Sequence, residues 1–226
     1  LDGGLAPNAT VMSWRGEKGG IEAAKSGHSV IMMPNADTYL NYYQEDPEYA
    51  PIGSGSFLPI EQVYSYEPIP AQMNDRDKKY VLGMEAALWT PYMKNPDVVD
   101  YYMYPRFYAV AEVAWTPAEA KNYTDFLARI RKQYARLDLQ QVKACRNYFD
   151  AYIDGAFNKR TRKFEVRITG MIPGSEIRYT TDGHIPTLAS NVYSNPIVLH
   201  KNTTIKAAIF TPDGNITGKI TEKNFV

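Results

Sequence analysis

Three aromatic side chains stand where they could do chemistry. Trp14 closes the run Ala-Thr-Val-Met-Ser-Trp (9–14), Trp89 closes Ala-Ala-Leu-Trp (86–89), and Tyr39 lies between them in Asp-Thr-Tyr-Leu-Asn-Tyr-Tyr-Gln (37–44). A flat ring at the carboxyl end of a buried parallel strand sits where α/β barrels gather their binding sites. Its face suits the apolar face of a sugar ring, whose C–H groups stack where hydroxyls do not. Other reactive groups offer less. His28, His184 and His200 have no metal-ligand spacing, and the single Cys145 excludes an internal disulfide and any multi-cysteine metal site. Neither a metal nor a cofactor is expected.

The 226 residues allow one large domain or two modest ones. The 25 basic and 25 acidic side chains cancel, so no field favours nucleic acid or an anionic membrane as partner. No run approaches the roughly 20 apolar residues of a membrane span. The opening Leu-Asp-Gly-Gly-Leu-Ala-Pro-Asn (1–8) has neither the basic nor the apolar region of a leader, and a start on leucine reads as a processed or excised piece.

Residues 9–14 read as a short buried strand, Ile21–Gly27 as a helix stopped by glycine, and His28–Pro34 as a second buried strand. Strand–helix–strand order with few polar residues in the strands argues for a parallel sheet covered on both faces. A long segment rich in Tyr, Pro, Gly and Asp runs from Asn35 to Lys79, a length usually functional inside a compact domain. Tyr80–Trp89 reads as a third buried strand. Asn95-Pro96 opens a helix, and Pro105–Trp115 is another, with Trp115 at core spacing and read as packing. Tyr123 to about Tyr152 alternates as a long amphipathic helix. After Gly155 the period becomes two, with strands near 163–169, 176–181, 203–210 and 219–225 and turn chemistry at Asp182-Gly183 and Asp213-Gly214. The expected organisation is an α/β unit over 1–155 and an antiparallel β unit over 156–226.

Three strands cannot close a barrel, which takes eight strand–helix units. The motifs suggest the tail of one. Trp-Arg-Gly-x-x-Gly-Gly-x-x-Ala-Ala-x-x-Gly-His-x-Val-Ile-Met (14–32) resembles the sixth to seventh strands of the family-20 glycoside hydrolases, the β-N-acetylhexosaminidases. Blocks at 39–44, 63–68, 82–90 and 104–115 continue that resemblance in order, and residues 177–207 resemble the small carboxyl-terminal β-sandwich of such enzymes. The resemblance implies α/β plus all-β architecture: about the last three strands of a (β/α)8 barrel, then a small antiparallel β-sandwich.

It also implies a retaining, substrate-assisted reaction in which the acetamido carbonyl of a terminal N-acetyl-β-hexosaminide attacks its own anomeric carbon. Tyr39 matches the catalytic tyrosine that holds the acetamido oxygen, Trp14 and Trp89 match tryptophans that wall in the sugar, and Asn41 stands where the family has a hydroxyl-binding Asp. Pro91 replaces a Glu of the family. The family's Asp-Glu pair, which polarises the acetamido group and protonates the leaving oxygen, has no counterpart, so the chain alone is expected to be inactive. The implied partner is an N-acetylhexosamine-containing glycan, and the implied compartment is extracytoplasmic: periplasmic, secreted or lysosomal. A non-catalytic relative that binds glycans or proteins is the alternative, motivated by Asn41 and Pro91. A partial barrel must also shield its open edge, so the first strand is expected to meet the missing half, another copy or a rearranged loop.

Overall fold

The computed structural model describes residues 4–172 and 174–226; of the stretch read as lacking a leader, Leu1–Gly3 lie outside the described residues. The chain forms two compact units, Leu1–Cys145 and Arg146–Val226.

The first unit is built on a three-stranded parallel sheet, β1 (Thr10–Ser13), β2 (Ser29–Met32) and β3 (Val81–Met84), in the order β1-β2-β3. Helix α1 (Lys18–Lys25) makes the crossover from β1 to β2. It starts before the expected Ile21 and stops at Gly27, whose φ of +84° few other residues tolerate. Ala23 and Ala24 of α1 pack on Val30 and Met32, with Val11, Val81 and Met84 completing that layer. Alternation along a strand turns the intervening side chains to the other face. There Met12 and Leu82 are exposed, so β1 and β3 are not the fully buried strands their composition suggests. They are the outer strands of this sheet, and only the central β2 has neighbours on both sides.

The long segment after β2 holds three short helices, α2 (Asn35–Thr38), α3 (Ile60–Ser65) and α4 (Asp75–Lys78). After β3 come α5 (Pro96–Met103), α6 (Arg106–Trp115) and α7 (Tyr123–Leu139). Asn95 caps α5 as expected, its Oδ1 accepting from the Val98 N–H at 3.1 Å. Helix α7 buries Phe126, Leu127, Ile130, Tyr134 and Leu137 on one face, with the Phe126 ring 4.6 Å from that of Tyr64 on α3. It ends well short of Tyr152, because Gln141 turns left-handed at φ 59°. Trp115 departs from the sequence reading: it is 88% exposed, not packed.

The second unit is an antiparallel sandwich. One sheet has the order β10 (Ile216–Phe225), β9 (Thr203–Phe210), β6 (Glu176–Thr180), β7 (Asn191–Val192); the other has β4 (Tyr152–Asn158), β5 (Lys163–Thr169), β8 (Ile197–Leu199). Ile153, Val166 and Ile168 from one sheet meet Ile205, Ala207 and Ile209 from the other. The unit begins ten residues before the expected 156, because β4 spans the residue taken as the boundary. Gly155 pairs with Val166 inside the strand, and a Cβ there would come within 2.8 Å of the Phe164 ring. It is a packing glycine, not a breaker.

Candidate functional site

The carboxyl ends of the three parallel strands are joined by a ladder of main-chain hydrogen bonds. The Asn35 N–H donates to the Trp14 carbonyl at 2.9 Å, and the Glu85 N–H to the Met32 carbonyl at 3.0 Å. Further out, the Ala87 N–H donates to the Thr38 carbonyl (3.1 Å) and the Leu40 N–H to the Ala87 carbonyl (2.7 Å), a parallel bridge between Tyr39 and Ala87. Residues well separated in order, on the segments after β2 and β3, are thereby set side by side.

That bridge brings Tyr39 and Trp89 together, their ring centroids 6.4 Å apart with planes at 53°. Tyr39 is half-buried and Trp89 is 57% exposed, so both rings keep surface for a ligand. The Tyr39 hydroxyl makes no hydrogen bond among the described residues, which leaves it able to donate. Trp14 stands at the same end of the sheet, 43% exposed, with the Arg15 guanidinium 4.7 Å over its ring. That cation lies over one face of its ring, and among the described residues no ring contact joins Trp14 to the Tyr39–Trp89 pair.

Asn41 makes a main-chain contact to the Trp89 segment. It is 3% exposed, and its Oδ1 accepts the Trp89 N–H at 3.3 Å. That oxygen holds the main chain of Trp89 in place. The turn 39–42 is closed by the Tyr42 N–H donating to the Tyr39 carbonyl at 3.1 Å, which buries Leu40 and Asn41 and leaves Tyr39 and Tyr42 on its outer side.

Beneath this turn lies a group that the sequence did not single out. Arg106, the first residue of α6, is wholly buried. Its guanidinium donates to the Leu58 carbonyl at 2.9 Å, the Tyr102 carbonyl at 2.8 Å and the Leu40 carbonyl. A buried guanidinium is tolerated only where its donors meet acceptors, and one of these acceptors lies between Tyr39 and Asn41. The flanking segment is tied down as well, with the Tyr43 N–H donating to the Ser56 carbonyl (2.9 Å) and the Leu58 N–H to the Tyr43 carbonyl (2.7 Å).

Among the described residues no group of three or more His, Cys, Asp or Glu is arranged to hold a metal ion, and no helix is long and apolar enough to cross a membrane. A groove of about 620 Å³ runs between α6 and α7, lined by Tyr108, Trp115, Phe126 and Arg129 among others. Arg129 spans it to Glu112 at 2.8 Å and bonds Asp125 of its own helix at 2.8 Å, and those bonds raise the guanidinium's pKa. None of the site aromatics lines that groove.

Residues 2–118 match the family model described as glycosyl hydrolase family 20, catalytic domain, and residues 166–225 match a model described as Fn3 associated. A β-hexosaminidase of Porphyromonas gingivalis is 39% identical over 223 residues, which are 96% of this chain and 28% of that protein. A β-hexosaminidase of Vibrio furnissii is 33% identical over 109 residues, covering 47% of this chain and 18% of the relative. Among solved structures, the family-20 exo-β-N-acetylglucosaminidase of Vibrio harveyi in complex with N-acetylglucosamine superposes with a TM-score of 0.55 and 34% identity, over 62% of this chain and 22% of that one. The Streptomyces plicatus N-acetyl-β-hexosaminidase gives 0.57 and 26%, over 63% and 30%. The chain thus spans well under a third of the length of the first of these relatives.

Proposed function

The chain belongs to glycosyl hydrolase family 20, and from that premise we propose that it supplies one wall of a pocket for a terminal N-acetyl-β-hexosaminide in a retaining β-N-acetylhexosaminidase. The observation that carries this reading is the Tyr39–Trp89 pair, held at the carboxyl end of a parallel sheet. Trp89 offers a face on which the sugar ring stacks. The free Tyr39 hydroxyl donates to the acetamido oxygen and holds it toward the anomeric carbon. Fixing that near-attack geometry removes several kcal/mol of orientation cost. Trp14, at the same end of the sheet, closes the acetamido side. The Fn3-associated unit serves as a packing or spacer module.

The 226 residues contain no adjacent Asp-Glu pair to polarise the acetamido group and protonate the leaving oxygen. The chain by itself therefore binds without turnover. Further barrel strands, or a second copy, cover the outer edge of β1 and the exposed Met12 and Leu82. The place of action is extracytoplasmic. The test uses the 226-residue chain with methyl N-acetyl-β-glucosaminide and methyl β-glucoside as paired probes in ligand-observed NMR. Selective binding of the acetylated probe, with no hydrolysis of a chromogenic N-acetylglucosaminide, supports the reading. Equal binding of both probes, or measurable turnover by homogeneous chain, refutes it.

A second reading, a glycan- or protein-binding relative that has lost catalysis, is favoured by two observations. The Asn41 oxygen accepts the Trp89 N–H, and Pro91 carries no polar side-chain group. Hydrolysis of the same chromogenic sugar by the full-length protein counts against it.

A further inference from the structure

We propose that Tyr42, held by Asn35, is an additional ligand-contacting residue of the Tyr39–Trp89 site, donating its hydroxyl proton to a hexose hydroxyl remote from the acetamido group. The inference rests on the pocket reading above and adds a residue to it.

The argument begins with the turn. In a four-residue turn closed between positions 39 and 42, the end residues lie side by side. Here Leu40 and Asn41 are the buried middle, and the Tyr39 and Tyr42 rings face each other at 5.9 Å and 46°. Trp89, Tyr39 and Tyr42 therefore form a run of three rings in which each is next to the one before. Tyr42 is half-buried, so part of the residue remains accessible.

Its hydroxyl is oriented in advance. Asn35 Nδ2 donates to the Tyr42 oxygen at 3.2 Å, which occupies a lone pair and leaves the phenolic proton without an acceptor among the described residues. Asn35 is itself fixed by its N–H on the Trp14 carbonyl and by the Tyr39 N–H reaching its own carbonyl at 3.4 Å. One residue thus links the Trp14 strand end, the Tyr39 turn and the Tyr42 hydroxyl. With the Asn41 oxygen engaged by the Trp89 N–H and Pro91 apolar, the Tyr42 hydroxyl is a further polar group on this turn, besides Tyr39, able to recognise a sugar hydroxyl. Two donors on adjacent rings divide the work: one for the acetamido oxygen, one for the rest of the ring.

The test measures binding of methyl N-acetyl-β-glucosaminide and its 4-deoxy and 6-deoxy analogues to the 226-residue chain, unaltered and as Tyr42→Phe, Tyr42→Leu and Asn35→Ala. Tyr42→Phe keeps the ring and loses one hydrogen bond, so affinity falls about fivefold to tenfold. Tyr42→Leu falls further, and Asn35→Ala falls less than either. The decisive readout is selectivity. The unaltered chain prefers the full probe to one deoxy analogue, and Tyr42→Phe abolishes that preference at an unchanged thermal midpoint, which a purely structural role would not do. Tyr42→Phe binding all probes as the unaltered chain does overturns the inference and leaves the pocket standing. Absence of any preference of the unaltered chain for the acetylated over the plain sugar overturns both.

Discussion

Replacing Arg106 with methionine removes the guanidinium while keeping an unbranched apolar stem in a wholly buried place. Three main-chain acceptors lose their donor: the carbonyls of Leu40, Leu58 and Tyr102. At about 1.5 kcal/mol, the low end for a hydrogen bond to a charged group, the three amount to about 4.5 kcal/mol. Burying the methionine tail offsets part of that, leaving a loss of about 3–4 kcal/mol. Against the roughly 5–15 kcal/mol that holds a typical domain together, the unit still folds but with a thin margin. A unit of this size loses about 2–4 °C in Tm per kcal/mol, so the midpoint should fall by about 10 °C. Tryptophan fluorescence is the assay, since Trp14, Trp89 and Trp115 all belong to the first unit and report on it alone. Arg106→Lys keeps the charge, but one ammonium cannot span carbonyls on separate segments, so its midpoint should fall between the two. An Arg106→Met midpoint within about 2 °C of the unaltered chain would show that the guanidinium does not hold this turn.

Other outcomes follow from single contacts. Asn41→Ala removes the acceptor of the Trp89 N–H, should cost about 1 kcal/mol, and should shift Trp emission to the red, whereas Asn41→Asp keeps an acceptor and should leave emission unchanged. The Tyr66 hydroxyl is buried without a hydrogen bond; Tyr66→Phe should stabilise the first unit by about 1 kcal/mol in denaturant titration. Burial, with Glu17, Asp37 and Glu67 adding to it, raises the Tyr66 pKa. Its contribution is thus complete below about pH 10 and is lost as pH rises beyond that, so the alkaline loss of stability should be shallower in Tyr66→Phe. In the second unit, hydrogen bonds from the Asn158 and Thr161 side chains hold the Glu165 carboxyl below its ordinary 4.5. That contribution is present above the ordinary value and fades as pH falls through the folded one, and Asn158→Ala should move the Glu165 NMR titration back toward 4.5.

What the sequence displayed was periodic or local. Strand β5 alternates, and both β5 and β9 stand at the residues their pattern marks. Asn95-Pro96 carries its capping chemistry within four residues. The end of α7 was not legible, because amphipathic spacing runs on past Leu139 and no glycine marks the left-handed Gln141. Gly155 misled in the opposite sense: a glycine demanded by neighbouring rings looks the same in sequence as one that breaks a strand. At the site, Tyr39 and Trp89 were legible through motif and strand-end position, and the structure pairs them. The partners of Asn41 and Arg106 were not, since each bonds main-chain atoms of segments far away in order. Tyr42 was visible only as one tyrosine among 18 until the turn placed it beside Tyr39.

The ladder at the strand ends has an evolutionary consequence. The bonds that set residue 39 beside residue 89 run through the amides of Thr38, Leu40 and Ala87, and these atoms are the same whatever side chain each residue bears. Exchanges at positions whose side chains take no part in these bonds, such as 42 and 91, can therefore accumulate one at a time without unseating the rings. A lineage, or an engineer, can retune which sugar is admitted while the frame that presents the aromatics stays as it is.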